Sequence, residues 1–460
     1  MQRWIRGRSA ASAARYFSQD TIYALSSAEG RAGVAVVRIS GPMADTCLAQ
    51  MTTARAVVRN IHHPSTKEVL DSAMAIRFPQ PKSFTGEDIV ELHLHGSRPV
   101  VTGVLQALST IPSCRPAEPG EFTERAFDNH KMDLMQVEGL ADLLNSETEA
   151  QRKQALHQIS GSVGQVYEDW RLTLVRCMAH AEANIDFGDD EDDVTDAAYD
   201  AVVDKVRELH ASIGRHLADG RRGEILRNGV QVAILGAPNA GKSSLLNVLA
   251  RRDAAIVSPI AGTTRDIVQV PLNLGGYPVT LSDTAGIRET DDVIEKEGVQ
   301  RAHKCRAEAH LKILVVDAND TLDPSVVDLV DANTIVVLNK LDLAANQIPQ
   351  LALQAAAMCP ISCVEGTGVD AFLQTLQAHV KNLFAGANDD AQGLLITRER
   401  HRTHLQDCVT HLKSFLEHPY ESELAAEDLR RAIQSIGRIV GRIDVEDILD
   451  VLFRDFCIGK

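Results

Sequence analysis

From Thr21 to about Ile111, apolar and polar residues alternate in short runs, TIYALSS, GVAVVRIS and DIVELHLH, broken by Gly and Pro. A two-residue period predicts half-buried strands, and one helical pattern around Val100 to Leu108 completes an expected α+β domain. Between about Gln136 and Phe187 the period changes. Leu156, Ile159, Val163, Val166, Trp170, Leu174 and Met178 recur at three- and four-residue steps, which predicts one apolar face along a long helical segment. From Gly229 to about Phe384 the apolar runs VQVAIL, LKILVVD and TIVVLN alternate with helical stretches, the sign of a parallel sheet with crossover helices. Thr397 to Lys460 is again mainly helical. The α/β segment is thus expected to be inserted between two helical segments that pack together. The acidic run DFGDDEDDV at 186–194 is read as a solvated loop between helices, because like charges repel, with a metal site as the weaker alternative.

Composition narrows this picture. A chain of 460 residues, 44% hydrophobic and 24% charged, has an ordinary globular make-up and material for two or three domains. No uninterrupted apolar run approaches the roughly 20 residues of a membrane helix, so no integral membrane association is expected. The formal charge of −16 argues against a general basic coat for nucleic acid, so such a partner must be recognised locally. Eight cysteines, at 47, 114, 177, 305, 359, 363, 408 and 457, lack CxxC pairing and suggest a reducing compartment without a metal cluster. The first 19 residues hold four arginines, several Ser and Ala, and no Asp or Glu. That is the composition of a transit peptide, with removal expected near Tyr16 to Ser18; a plain disordered N-terminus is the alternative.

Candidate chemistry centres on GAPNAGKS, Gly236 to Ser243, between the predicted strand VQVAIL and a helix. This is the context of a phosphate-binding loop: Gly and backbone amides, with Asn239, Ala240, Gly241 and Ser244 around them, cradle phosphates. Lys242 reaches the β- and γ-phosphates, and Ser243 can ligate Mg²⁺. The bare pattern is expected by chance on the order of once in fifty chains of this length, so it is only suggestive. An ordered set follows it: GTTRD at 262–266, DTAG at 283–286 after VTLS, and NKLD at 339–342 after TIVVLN.

Together these resemble the elements of translation-factor-type GTPases. That resemblance makes Thr264 the switch threonine on Mg²⁺ and places Asp283, Thr284, Ala285 and Gly286 at the metal and γ-phosphate. It makes Asn339, Lys340 and Asp342 the guanine-reading triplet, the Asp342 carboxylate accepting from guanine N1 and N2 groups that adenine cannot supply. Ser362 and Cys363, in PISCVEGTG, match the last guanine-contacting element, where Ser-Ala is usual. Directly after the DTAG glycine, where Ras-like enzymes carry a water-orienting Gln, stands Ile287, so another group must position the water. Glu289, Glu295 and Glu297 follow in RETDDVIEKEG; each is a candidate carboxylate, although each taken alone reads first as part of a solvated helix.

Beyond these motifs, TIYALSSAEGRAGVAVVRISG, SFTGEDIVELHLHG, RPAEPGEFTERAFDNHKMDL and the terminal FCIGK occur in order. With them the chain resembles, over nearly its whole length, the MnmE (TrmE) family of tRNA-modifying GTPases in its mitochondrial form. The resemblance implies a multidomain α/β architecture. A transit peptide at 1–19 precedes an α+β folate-binding-like dimerisation domain at 20–135. A helical domain is split between 136–226 and 386–460, and a Ras-like P-loop GTPase domain at 227–385 is inserted in it.

It further implies that Glu295 is the catalytic glutamate, and that K⁺ near the phosphates takes the place of an arginine finger, held by Asn239, Ser258, Ile260 and Thr263. G domains of a homodimer would meet face to face to order that loop. Arg38, Glu91, Lys131 and Lys460 match the site for 5-formyltetrahydrofolate or a related folate, and Cys457 of FCIGK is a functional cysteine, although on composition alone it reads as buried and inert. The implied function, in the mitochondrial matrix, is modification of C5 of uridine 34 in tRNA with an FAD-dependent MnmG (GidA) partner, GTP, Mg²⁺ and an amine, taurine or glycine. Arg430, Arg431, Arg438 and Arg442 are candidate RNA-phosphate contacts, or simply surface charges of a helix. The alternatives are a GTP-switched ribosome-assembly factor, which predicts a GxxG RNA clamp that the tail lacks, and a folate-dependent aminomethyl transferase carrying a G domain.

Overall fold

A computed structural model describes residues 20–52, 58–187, 192–219, 221–237, 239–252, 269–283, 309–319, 330–343, 355–385, 396–443, 446–454, 456 and 459. In chain order the described elements are β1 (Thr21–Leu25), β2 (Ala32–Ser40), α1 (Ala44–Met51), β3 (Val58–His62), β4 (Val69–Phe78), β5 (Ile89–Gly96), α2 (Arg98–Ser109), β6 (Cys114–Pro116), α3 (Glu121–Asp128), α4 (Leu134–Leu144), α5 (Glu149–Ile159), α6 (Ser162–Phe187) and α7 (Asp192–Leu217). They continue with α8 (Arg222–Asn228), β7 (Val230–Leu235), α9 (Lys242–Ala250), β8 (Gln269–Leu274), β9 (Tyr277–Asp283), β10 (Leu311–Asp317), β11 (Thr334–Asn339), β12 (Ala357–Pro360), α10 (Val369–Leu383), α11 (Glu399–Glu417), α12 (Ser422–Val440) and α13 (Glu446–Arg454). They fall into two compact units, one from Met1–Ala141, Gln158–Arg171 and Ile436–Lys460, the other from Asp142–His157 and Leu172–Ser435.

In the first unit the strands run in the order β3-β4-β5-β2-β1-β6, antiparallel except for the β1–β6 pair. The alternation in the sequence decides its faces. Val90, Leu92 and Leu94 of β5 pack with Val37 and Ile39 of β2 and with Cys47, Val104 and Leu108 of α1 and α2. Glu91 and His93 therefore point to the opposite face, as successive strand residues must. A second cluster joins Leu134 and Val137 of α4 to Leu452, Phe453 and Phe456 at the C-terminal end. Gly120 makes that join possible: a Cβ there would lie 2.6 Å from the Phe453 carbonyl oxygen, and its φ of +72° is one a side chain rarely adopts.

Arg125 organises the polar interior of this unit. It is buried and donates to Glu87 (3.1 Å), Glu121 (3.0 Å) and Asp20 (3.2 Å). Burial works against ionisation of Glu121, but hydrogen bonds from Arg115, the Glu118 N–H and Arg125 outweigh it and hold the carboxyl below its usual range. Arg125→Met is expected to cost about 3–5 kcal/mol, because it strands buried carboxylates, as read by denaturant unfolding of the full chain. Since Glu121 titrates lower folded than unfolded, its pairing stabilises fully above the unfolded carboxylate range, near ~4.3, and fades as pH falls through the folded value. Wild-type stability should therefore fall over that acid window and the variant's should fall less; parallel pH profiles would contradict the assignment.

In the second unit the order is β12-β11-β10-β7-β9-β8, parallel except for the β8–β9 hairpin. The three apolar runs read from the sequence are its strands β7, β10 and β11, buried on both faces, one of them under α9 and α10. Helix α8 feeds β7 and is fastened by Arg402 of α11, which donates to Glu224 (2.9 Å) and Asp219 (2.8 Å). Asp142 accepts from both Arg227 and Arg398 at 2.9 Å.

Two helical expectations change. The segment predicted as one long run with a single face is three helices, broken at 145–148 and at 160–161, where Gly161 has a φ of +81°. Leu156, assigned to the apolar face, is 42% exposed, whereas Val163, Trp170 and Leu174 of α6 are buried. The acidic run is also shorter as a connection than read: Asp186 and Phe187 end α6, Asp192 to Val194 open α7, and 188–191 lie outside the described residues.

Candidate functional site

The carboxyl ends of β7, β9, β10 and β11 bring the guanine-nucleotide elements to one edge of the second unit, where parallel α/β sheets bind ligands. Strand β7 ends at Leu235, and the loop to α9 turns through Gly236 (φ +141°), Asn239 (φ +64°) and Gly241 (φ +100°). These left-handed residues fold the chain back so that α9 begins at Lys242, with its N-terminal end at the loop. Gly241 has no alternative, because a Cβ would stand 2.1 Å from the Asn339 Nδ2.

Lys242 is 6% exposed, and its ammonium donates to the Gly236 carbonyl (2.8 Å) and the Ala237 carbonyl (2.7 Å). Its charge is thus held across the mouth of the loop. Ser243 and Ser244 lie exposed in the first turn of α9, and Ala240 is buried. Asp283 ends β9 and pairs in register with Ile234 of β7, next to the start of the loop.

The candidate guanine-reading elements are braced by their neighbours. Asn339, 2% exposed, donates to the Ala240 carbonyl (3.0 Å) and accepts from the Cys363 N–H (3.2 Å), tying the phosphate loop to the Ser362–Cys363 turn. Asp342 opens to solvent, with Oδ1 accepting from buried Ser362 at 2.6 Å. Its carboxylate is oriented before any base arrives. Burial, then the Asp342 charge, push the Cys363 thiol up to about 11, so it is an unreactive wall. Lys340 pairs with Asp317 Oδ2 at 2.7 Å. Burial opposes ionisation of Asp317, and Lys340 and Asn319 overcome it, holding the carboxyl low. Asp317 was not singled out from the sequence; the available signal was its place at the end of LKILVVD, in register with Asn339.

Ser258, Ile260, Thr263, Thr264, Thr284, Ala285, Gly286, Glu289, Glu295 and Glu297 lie outside the described residues, as do Cys457 and Lys460, and so does the side chain of Asp283.

In the first unit, Arg38 and Glu91 are cross-strand partners on the face opposite the core, with an ion pair of 2.9 Å and a hydrogen bond of 3.0 Å. The guanidinium lies 5.2 Å from the Phe84 ring and 5.7 Å from the Phe122 ring. Lys131 runs along Gly86 and donates to the Pro81 carbonyl at 3.0 Å. The Gly459 carbonyl accepts from Ser26 (2.9 Å), which brings part of the FCIGK stretch to the end of β1. Of the candidate RNA contacts, Arg430 and Arg431 are paired with Glu427, and Arg430 also with Glu182.

A family model described as the MnmE helical domain matches residues 134–457, and one described as the GTP-binding protein TrmE N-terminus matches 21–131. The chain belongs to the MnmE (TrmE) family of tRNA modification GTPases. It is a GTPase. Among MnmE relatives, the "tRNA modification GTPase MnmE" of Parvibaculum lavamentivorans is 50% identical, over 96% of this chain and 100% of that protein. The "5-taurinomethyluridine-[tRNA] synthase subunit GTPB3, mitochondrial" is 47% identical in Danio rerio and 44% in Homo sapiens, each over 96% of this chain and 93% of the relative.

Proposed function

We propose that this MnmE-family GTPase works in mitochondria on the C5 position of the wobble uridine of tRNA, with K⁺-activated GTP hydrolysis driving the cycle. The observation that carries the reading is the braced pair of loops at one sheet edge: Lys242 across the phosphate loop and Asp342 oriented by Ser362. Relatives named as mitochondrial taurinomethyluridine synthase subunits, together with the arginine-rich leader, support the organelle and the tRNA substrate. The word subunit in those names supports a partner, which we assign to the FAD-dependent MnmG (GidA) type, acting with a homodimer of this chain. We retain the division at 20–135, 136–226, 227–385 and 386–460.

The described residues fit the expected ligands. Exposed Ser243 in the first turn of α9 is assigned to Mg²⁺, with Thr264 as its companion. Exposed Asn239, on a left-handed residue of the phosphate loop, can turn its side-chain carbonyl to K⁺, with Ser258, Ile260 and Thr263 assigned to the rest. Such a cation offsets charge developing on the β- and γ-phosphates, and Glu295 is assigned to orient the attacking water. The Arg38–Glu91 pair, flanked by Phe84, suits a folate: a ring to stack on, a carboxylate for pterin N–H groups and a cation for its acids, with Lys131 and Lys460 as further cations. A folate supplies a one-carbon unit when bound, and Cys457 is assigned to the modification.

The test is GTP hydrolysis by the full chain in K⁺ and in Na⁺. Because residue 239 has a φ of +64°, glycine removes the side chain without backbone strain. We expect stimulation by K⁺ of at least about tenfold, lost in Asn239→Gly, and turnover abolished in Glu295→Ala. Equal rates in the two salts would sink the K⁺ assignment.

A further inference from the structure

A cleft of about 890 Å³ opens within the first unit, with His130 and Met132, on either side of Lys131, among its lining residues. Its walls are the turn after α3, the first turn of α4, the α5–α6 connection, the start of α6 and the end of α12. Three carboxylates, Asp128, Asp133 and Glu168, and one guanidinium, Arg442, line it together with His130. That excess of acid disfavours a phosphodiester and favours a ligand that brings its own cation.

Two of these groups, Asp133 and Arg442, line the same cleft and sense each other's charge without forming an ion pair. Asp133 Oδ1 caps α4 by accepting the Gln136 N–H (2.8 Å), while Oδ2 lies beside Gly164 of α6, where a Cβ would come within 3.1 Å of it. Arg442 is set by the turn that ends α12: Gly441 has a φ of +82°, and the Arg442 N–H returns to the Gly437 carbonyl (2.9 Å). The exposed guanidinium reaches Glu168 only at 3.7 Å, and Glu168 is already held by Arg171 at 2.8 and 2.9 Å. Desolvation, opposed by the Gln136 and Met135 N–H groups and by the charge of Arg442, raises the Asp133 carboxyl above its usual range. An exposed carboxylate held by the Gln136 and Met135 N–H groups and an exposed guanidinium with unused donors, close enough to sense each other and not paired, form the two poles of a receptor for a short zwitterion.

We propose that this cleft binds the amine co-substrate of the modification, a short zwitterion whose ammonium bonds Asp133 Oδ2 and whose strong-acid anion bonds the Arg442 guanidinium. The identity of the ligand rests on the tRNA-modification reading. The cleft exceeds a two-carbon molecule, so the ligand takes the Asp133–Arg442 end and leaves the remainder unfilled.

Saturation-transfer NMR on the full chain, titrated with taurine, glycine, ethanolamine and ethanesulfonate, tests this directly. A zwitterion should bind saturably, at least about tenfold tighter than either half-molecule, since each half forfeits one charged contact. Taurine against glycine identifies the anion that fits. Asp133→Asn keeps the helix cap and Arg442→Gln removes the charge while keeping a polar side chain; each should reduce zwitterion binding about tenfold or more, with the far-UV spectrum and thermal midpoint retained. No saturable binding, or half-molecules binding as well as zwitterions, overturns the proposal whatever the variants do. A K⁺-stimulated GTPase that ignores zwitterions refutes this site alone, whereas zwitterion binding without K⁺ stimulation refutes only the activation mechanism.

Discussion

Lys242→Ala lowers kcat/KM for GTP by about 10²–10³, an effect of the size seen when one preorganised charge donor is removed from a developing oxyanion. The ammonium is nearly buried and already stationed on the Gly236 and Ala237 carbonyls, so its exchange onto phosphate oxygens needs little reorganisation. Its positive charge then counts most where negative charge builds between the β- and γ-phosphates. Lys242→Arg keeps the charge but presents a planar fork on a longer stem, and should recover less than about a tenth of the lost rate. Single-turnover hydrolysis at saturating GTP separates the chemical step from affinity, and unchanged melting shows that the loop still folds. A loss below threefold would mean that the phosphates are held elsewhere.

Legibility followed locality. The strand–loop–helix setting of GAPNAGKS was readable because its signal lies in consecutive residues, and β7, β10 and β11 because an uninterrupted apolar run inside an α/β pattern has little else to become. The break at 160–161 was not, since one Gly inside a helical pattern is compatible with either outcome; Leu156 was then placed on the buried face of a helix that does not continue. Contacts between distant stretches left no trace at all. Nothing in the spacing pairs Arg227 with Asp142, or sets Lys340 on Asp317. The same holds for Arg38 and Glu91: both were named, but their direct pairing depends on the β2–β5 register, which the sequence pattern alone leaves open. The charged cleft draws on three separate chain stretches, 127–136, 160–168 and 440–442, and had no sequence signal as a site.

Asp342→Asn should change which base the protein accepts. The carboxylate is exposed, with Oδ1 fixed by the Ser362 hydroxyl at 2.6 Å, so both oxygens keep acceptor capacity toward the guanine N1–H and N2–H₂ edge. Asparagine replaces one acceptor by an N–H₂ donor, which opposes the guanine amino group and suits the carbonyl that xanthine carries there. Losing charge-assisted bonds worth about 1.5–3 kcal/mol each should weaken GTP by about 10²–10³, while XTP gains a matched pair. Competition between GTP and XTP for the full chain, followed by hydrolysis of each, reads the preference. A variant that still prefers GTP more than about tenfold would show that Asp342 is not the base reader. Ser362→Ala supplies the finer control: it leaves the carboxylate in place and frees its orientation, so affinity should fall by about tenfold with the preference for guanine kept. The contrast between the two variants separates the group that reads the base from the hydroxyl that aims it.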